Sequence, residues 1–117
     1  MTLTAWPAEF ETHSFVLHLK PGQEEEYLRR HHEIWPEMQA LLLARGVIHY
    51  EISLHRASHL LFAFIVRRRD HSMAELPDHP VTRRWRAYMA DILEIESGTK
   101  PIIDPLIRMF SLSAPAN

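Results

Sequence analysis

Apolar side chains occupy alternate positions from Thr12 to Lys20, with Phe15, Leu17 and Leu19 on one face, which predicts a half-buried strand. Pro21-Gly22 ends it in a turn. Gln23-Glu24-Glu25-Glu26 then opens a helix with acids in its first turn, where they complement the helix dipole. Tyr27, His31, Ile34, Met38 and Leu42 keep helical spacing beyond it. Pro36 interrupts this stripe because the residue before a proline avoids the α region. Two short helices are therefore expected, with a kink at residues 32–35 and a stop at Gly46. From Val47 to His55 the chain alternates again, with Ile48, Tyr50, Ile52 and Leu54 opposite His49, Glu51, Ser53 and His55. Leu60 to Val66 is apolar on both faces and reads as a central strand, joined to the previous one by a hairpin over 56–59. Asp78-His79-Pro80 caps a second long helix carrying Val81, Trp85, Tyr88, Met89 and Ile92 on one stripe, and Ser97-Gly98 and Pro101 mark its end. A last strand is expected over 105–112, and residues 1–11, which lack any period, form a loose extension.

The predicted order is β-α-β-β-α-β, the α+β, ferredoxin-like arrangement of a four-stranded antiparallel sheet with helices on one face. The domain spans residues 12–113. Its uncovered sheet face needs a partner, and a second copy of the chain is the simplest one. A homodimer is expected.

Composition narrows the function. The 117 residues suffice for one domain, and 46% hydrophobic and 24% charged are the fractions of an ordinary globular protein. The net charge of −2 argues against phosphate-driven nucleic-acid binding. Arg67-Arg68-Arg69 runs straight into Asp70, as a solvated strand end does. Without cysteine there is neither disulfide nor thiolate chemistry. The longest apolar run, Leu60 to Val66, is too short for a bilayer. With no leader pattern at its start, the chain is expected in the cytoplasm.

Candidate chemistry gathers at Tyr27 and His31. Four residues apart on a helix they share a face, so a phenol and an imidazole point into one space. Imidazole exchanges protons near neutrality, and a phenol hydrogen-bonds a hydroxylated ligand. Tyr50 belongs to the helix-facing side of its strand, and Trp85 to the sheet-facing side of its helix. All four then converge on one cleft, an aromatic wall with a few polar tips that suits a sugar. Each residue also has a plainer reading: His31 as a structural histidine, the tyrosines as core-edge residues, Trp85 as packing. His31 and His32 diverge by about 100° and do not ligate one ion. His49, Glu51 and His55 share a strand face, where they read as polar interface residues. Neither metal nor cofactor is expected, and no Gly-rich phosphate loop or serine triad is present.

These residues resemble the L-rhamnose mutarotase family from about Ser14 to Leu112. The resemblance rests on Tyr27-x-x-Arg30-His31, Ile34-Trp35-Pro36-Glu37, Gly46-x-x-x-Tyr50, Leu60-x-Phe62, Asp78-His79-Pro80-Val81 and Arg84-Trp85-x-x-Tyr88-Met89. It implies a dimeric α+β barrel that interconverts the α and β anomers of L-rhamnose without cofactor or metal. It implies His31 as the catalytic proton donor, with Tyr27, Tyr50 and Trp85 as sugar contacts; the chemistry of ring opening then suggests that His31 gives its proton to the ring oxygen. The chain departs from the family in having Arg86 beside Trp85 where a second tryptophan is usual, so Arg86 is a candidate for the pocket mouth. It also departs at Glu96–Pro101 and at His32-Glu33. Three alternatives remain open from sequence: another 6-deoxy or related aldose, a non-catalytic sugar-binding dimer, and a haem or monooxygenase enzyme on the same fold.

Overall fold

The computed structural model describes residues 7–114. Strand β1 (Phe10–His18) leads through the Pro21-Gly22 turn into α1 (Glu24–His32) and α2 (Pro36–Ala44). Strands β2 (Val47–His55) and β3 (Leu60–Arg68) form the expected hairpin, with His59 at φ 59° in its turn. A 3-10 turn over Met73–Asp78 precedes α3 (Pro80–Met89), and three short strands follow: β4 (Ile95–Ser97), β5 (Lys100–Pro101) and β6 (Asp104–Pro105). The main sheet is antiparallel in the order β2-β3-β1-β6, so β3 is central, as its two apolar faces predict.

Cross-strand pairing defines the two faces, because residues directly opposite point the same way. The rows Leu17/Leu61/Leu54, Phe15/Ala63/Ile52 and His13/Ile65/Tyr50 face the helices. Leu17, Leu19 and Leu61 pack there with Tyr27 of α1, with Met89 of α3, and with Ile92 and Leu93 just beyond it. The rows Val16/Phe62/Ser53 and Ser14/Phe64/Glu51 lie on the opposite face, which no helix covers among the described residues and where Phe62 is exposed.

The kink falls where Pro36 requires it. Trp35 adopts an extended backbone (φ −60°, ψ 132°), α1 stops at His32, and Pro36 starts α2 at the position where its missing N–H costs no helical bond. Gly46 ends α2 at φ 113°, and a Cβ there would stand 2.8 Å from that of His71. Two constraints thus select glycine at one position.

Five expectations need correction. Phe10 and Glu11 are not loose: they open β1 opposite Arg68 and Arg67, and the Glu11 carboxylate lies 3.1 Å from the Arg67 guanidinium. Residues 1–6 lie outside the described residues. A bulge between Val47 and His49 shifts the register, burying Val47 and leaving Ile48 exposed. The helix after Pro80 ends at Met89, well before Ser97, because the chain turns to bond the end of β1. The amides of Lys20 and Glu94 donate to the carbonyls of Ile92 and His18 at 2.9 and 2.8 Å. Asp78 belongs to the 3-10 turn, and the cap is His79, whose Nδ1 accepts from the Val81 amide at 3.1 Å.

The strand expected over 105–112 shrinks to two residues. Pro105 lacks an N–H to continue the ladder, and Asp104 is tied to His18 of β1 at 2.5 Å. Beyond it Ile107, Met109 and Phe110 are 80–90% exposed. The alternation there is genuine, but beyond Leu106, whose amide donates to the Ser14 carbonyl at 3.1 Å, no strand among the described residues receives it.

Candidate functional site

The helix-facing side of the sheet is not filled to its edge. Between β1, β2, the C-terminal half of α3 and the β4–β5 segment opens a cavity of about 150 Å³. Tyr27, His31, Tyr50, Trp85 and Arg86 all line it, so the site residues expected from the sequence are brought together. The cavity's aromatic residues form two groups of touching rings. Tyr27 and His31 stack at 4.2 Å between ring centroids, His31 meets Trp85 edge-on at 5.5 Å, and Phe15 meets Tyr50 edge-on at 6.5 Å. Helical spacing brings the first pair together: α1 carries them one turn apart on its inner face.

His31 is largely buried. Its Nδ1 lies 3.2 Å from the Tyr27 carbonyl oxygen, so in the neutral ring Nδ1–H donates to that carbonyl and Nε2 is left without a partner among the described residues. Burial pushes its pKa below the ordinary 6.5, opposed by the Tyr27 carbonyl and aided by His32. The resting form at neutrality is therefore an imidazole with a free lone pair. Both phenols move the other way. Burial, with some help from Tyr50, pushes Tyr27 far up, while burial pushes Tyr50 up to about 12 against the opposing charge of Arg86. Near neutrality both keep their protons and can donate them.

What holds this wall in place is Arg30, beside His31 but facing the seam between α1 and α3. Its side chain is 10% exposed. The guanidinium donates to both Asp91 oxygens at 2.8 and 3.2 Å, to the Tyr88 carbonyl at 2.6 Å and to Glu26 at 3.0 Å, and stacks 4.5 Å above the Tyr88 ring. The sequence indicates the Glu26 pair by its i, i+4 spacing but not the bonds to α3. Trp35 and Tyr88 also escape the sequence reading. They stack at 5.5 Å and back Trp85, with Trp35 edge-on to it at 5.1 Å. Thr99 at the rim belongs to the Glu96–Pro101 segment at which the chain departs from the family, whereas Ile103 beyond it is absent from the sequence reading. Among the described residues no group of three His, Asp or Glu side chains is arranged to hold a metal ion, and no helix is long and apolar enough to cross a membrane.

A family model described as L-rhamnose mutarotase matches residues 12–112. The chain is 45% identical to an L-rhamnose mutarotase of Rhizobium johnstonii over 102 residues, which are 87% of this chain and 96% of that one. It is 50% identical to one of Verminephrobacter eiseniae over 99 residues, 85% and 93% of the two chains. Among solved structures it is similar to an L-rhamnose mutarotase of Formosa agariphila, with a TM-score of 0.79, 30% identity, and coverage of 88% of this chain and 99% of the other.

Proposed function

The chain belongs to the L-rhamnose mutarotase family, and we propose that it interconverts the α and β anomers of L-rhamnose by acid/base catalysis in the pocket between sheet and helices. The observation that carries this reading is the state of His31: neutral, anchored at Nδ1 by its own helix, and free at Nε2 beside two protonated phenols.

Opening the ring needs one proton removed and one supplied. Nε2 of His31 takes the proton of the anomeric hydroxyl as its C–O becomes a carbonyl and the bond from C1 to the ring oxygen breaks. A phenol supplies the proton that the ring oxygen requires. Tyr50 is the better donor of the two, because Arg86 opposes the rise that burial causes. After rotation about C1–C2 the ring closes on the other carbonyl face. The imidazolium returns its proton to the carbonyl oxygen, and the phenolate recovers its own from the closing hydroxyl. The sequence reading assigned the ring-oxygen proton to His31. A neutral imidazole supports the base role at opening, and its donor role then belongs to closure. One or two positioned groups suffice, each contributing about 10²–10⁴-fold. Trp85 and Tyr27 supply apolar and polar contacts to the sugar, and Arg86 binds it at the mouth.

The strand order favours the ferredoxin-like assignment, and the uncovered sheet face favours a homodimer closed into a barrel. Phe62, 39% exposed, sits on that face beside a half-buried Phe64, and the apolar stretch after Pro105 is free to reach a second copy. Polarimetry on freshly dissolved L-rhamnose tests the activity: accelerated decay of optical rotation is expected, and the spontaneous rate would refute it. Sedimentation equilibrium tests the assembly, with twice the chain mass expected and a monomer counting against it.

A further inference from the structure

Charge around the pocket is distributed unevenly. Nine of the eleven arginines make ion pairs with carboxylates among the described residues. The other two are Arg108, in the exposed stretch after Pro105, and Arg86. Only Arg86 stands on a regular element, and it is half-buried in the wall of the cavity. No aspartate or glutamate lines that cavity. The surrounding wall is mainly apolar or aromatic, including Phe15, Ile52, Trp85 and Pro101. A chain with net charge −2 thus keeps one uncompensated guanidinium at its candidate sugar site. A guanidinium presents a planar fork of donors that matches a carboxylate in two parallel hydrogen bonds. Low polarity around it strengthens the attraction to an anion. Arg86 and Tyr50 line the same cavity, and the Arg86 charge opposes the rise that burial causes in the Tyr50 pKa.

We propose that Arg86 makes this pocket a receptor for hexuronates, aldoses whose C6 is a carboxylate, as a second substrate class alongside the 6-deoxy sugar. This rests on the pocket being the mutarotation site argued above. The chemistry asks for nothing new. The anomeric hydroxyl loses its proton to His31, the ring oxygen gains one from the phenol, the C1–ring-oxygen bond breaks and re-forms, and the carboxylate stays ionised against Arg86 throughout. A methyl group at C6 leaves the fork to bind hydroxyls, whereas a carboxylate fills it.

The test is NMR saturation transfer between anomeric protons of L-rhamnose, D-galacturonate, D-glucuronate, D-mannuronate and L-guluronate. Each uronate is compared with the neutral hexose of the same ring configuration, using wild type, Arg86→Gln and Arg86→Lys. The expected result is faster exchange of at least one uronate than of its neutral counterpart, with a KM that rises with salt. Arg86→Gln should lower that uronate-to-neutral ratio of kcat/KM by about tenfold, and Arg86→Lys by less, since a point charge keeps attraction but loses the fork. Acceleration of L-rhamnose with no uronate exchanged or preferred would overturn this inference and leave the mutarotase reading standing. An unchanged ratio in Arg86→Gln would also overturn it. Exchange of none of these sugars would overturn both readings.

Discussion

Two neighbouring regions of this molecule use the same kinds of side chain to opposite ends. In the seam between α1 and α3, Arg30 is sealed against Asp91, Glu26, the Tyr88 carbonyl and the Tyr88 ring, and every strong donor is answered within the protein. In the adjoining pocket, His31 Nε2 and the Arg86 guanidinium have no hydrogen-bond or ion-pair partner among the described residues, and both phenols line the same cavity. Paired polar groups hold geometry; unpaired ones are available to a ligand. The two regions meet at consecutive residues, Arg30 and His31, because successive helical side chains diverge by about 100°. One face of α1 serves each purpose.

Substitutions on the two sides should therefore separate activity from stability. The largest effect is expected from His31→Ala, which should lower kcat/KM for L-rhamnose by about 10²–10⁴-fold while thermal unfolding changes little. Tyr50→Phe removes only the donated proton and should cost about 10²-fold in kcat. If Tyr27→Phe instead showed the larger loss in kcat, the two phenols would exchange roles. Across the seam, Arg30→Ala leaves Asp91 and the Tyr88 carbonyl without their donor. It should lower stability by about 1–3 kcal/mol, read from urea unfolding, with the pH profile of the remaining activity unmoved. A loss of activity without loss of stability would place Arg30 among the pocket residues and erase the contrast.

The pH dependence is the finest of these discriminations. Because burial holds the His31 pKa below 6.5, kcat/KM should rise with pH through that lowered value and be flat by neutrality. Between that value and 6.5 the unfolded chain binds a proton at this position that the folded chain does not. Stability should accordingly be complete above 6.5 and decline as pH falls through that window. In His31→Ala this part of the pH dependence should vanish from the unfolding free energy.

Much of this was legible in the sequence wherever a local period decides the structure. The 3–4 spacing put Tyr27 and His31 on one face, Pro36 placed the break between helices, and alternation over 50–54 turned Tyr50 toward α1 and α3. Features decided by distant partners were not legible. Arg30 looks like a helix-surface cation until Asp91 arrives from the turn after α3, and Trp35 looks like a helix cap until Tyr88 stacks on it. The stretch 105–112 alternates as a strand does, yet alternation states only that a strand could form there, not that an edge is present to receive it. The early end of α3 depends likewise on bonds to β1.

The central claim is that the free Nε2 of His31 performs the proton transfer of mutarotation, and saturation transfer between the anomeric protons of L-rhamnose tests it most directly. Wild type and His31→Ala would be compared at equal concentration and matched fold content by circular dichroism. The account predicts accelerated exchange with wild type and a rate near the spontaneous one with the variant. Undiminished exchange in a folded His31→Ala protein would contradict it.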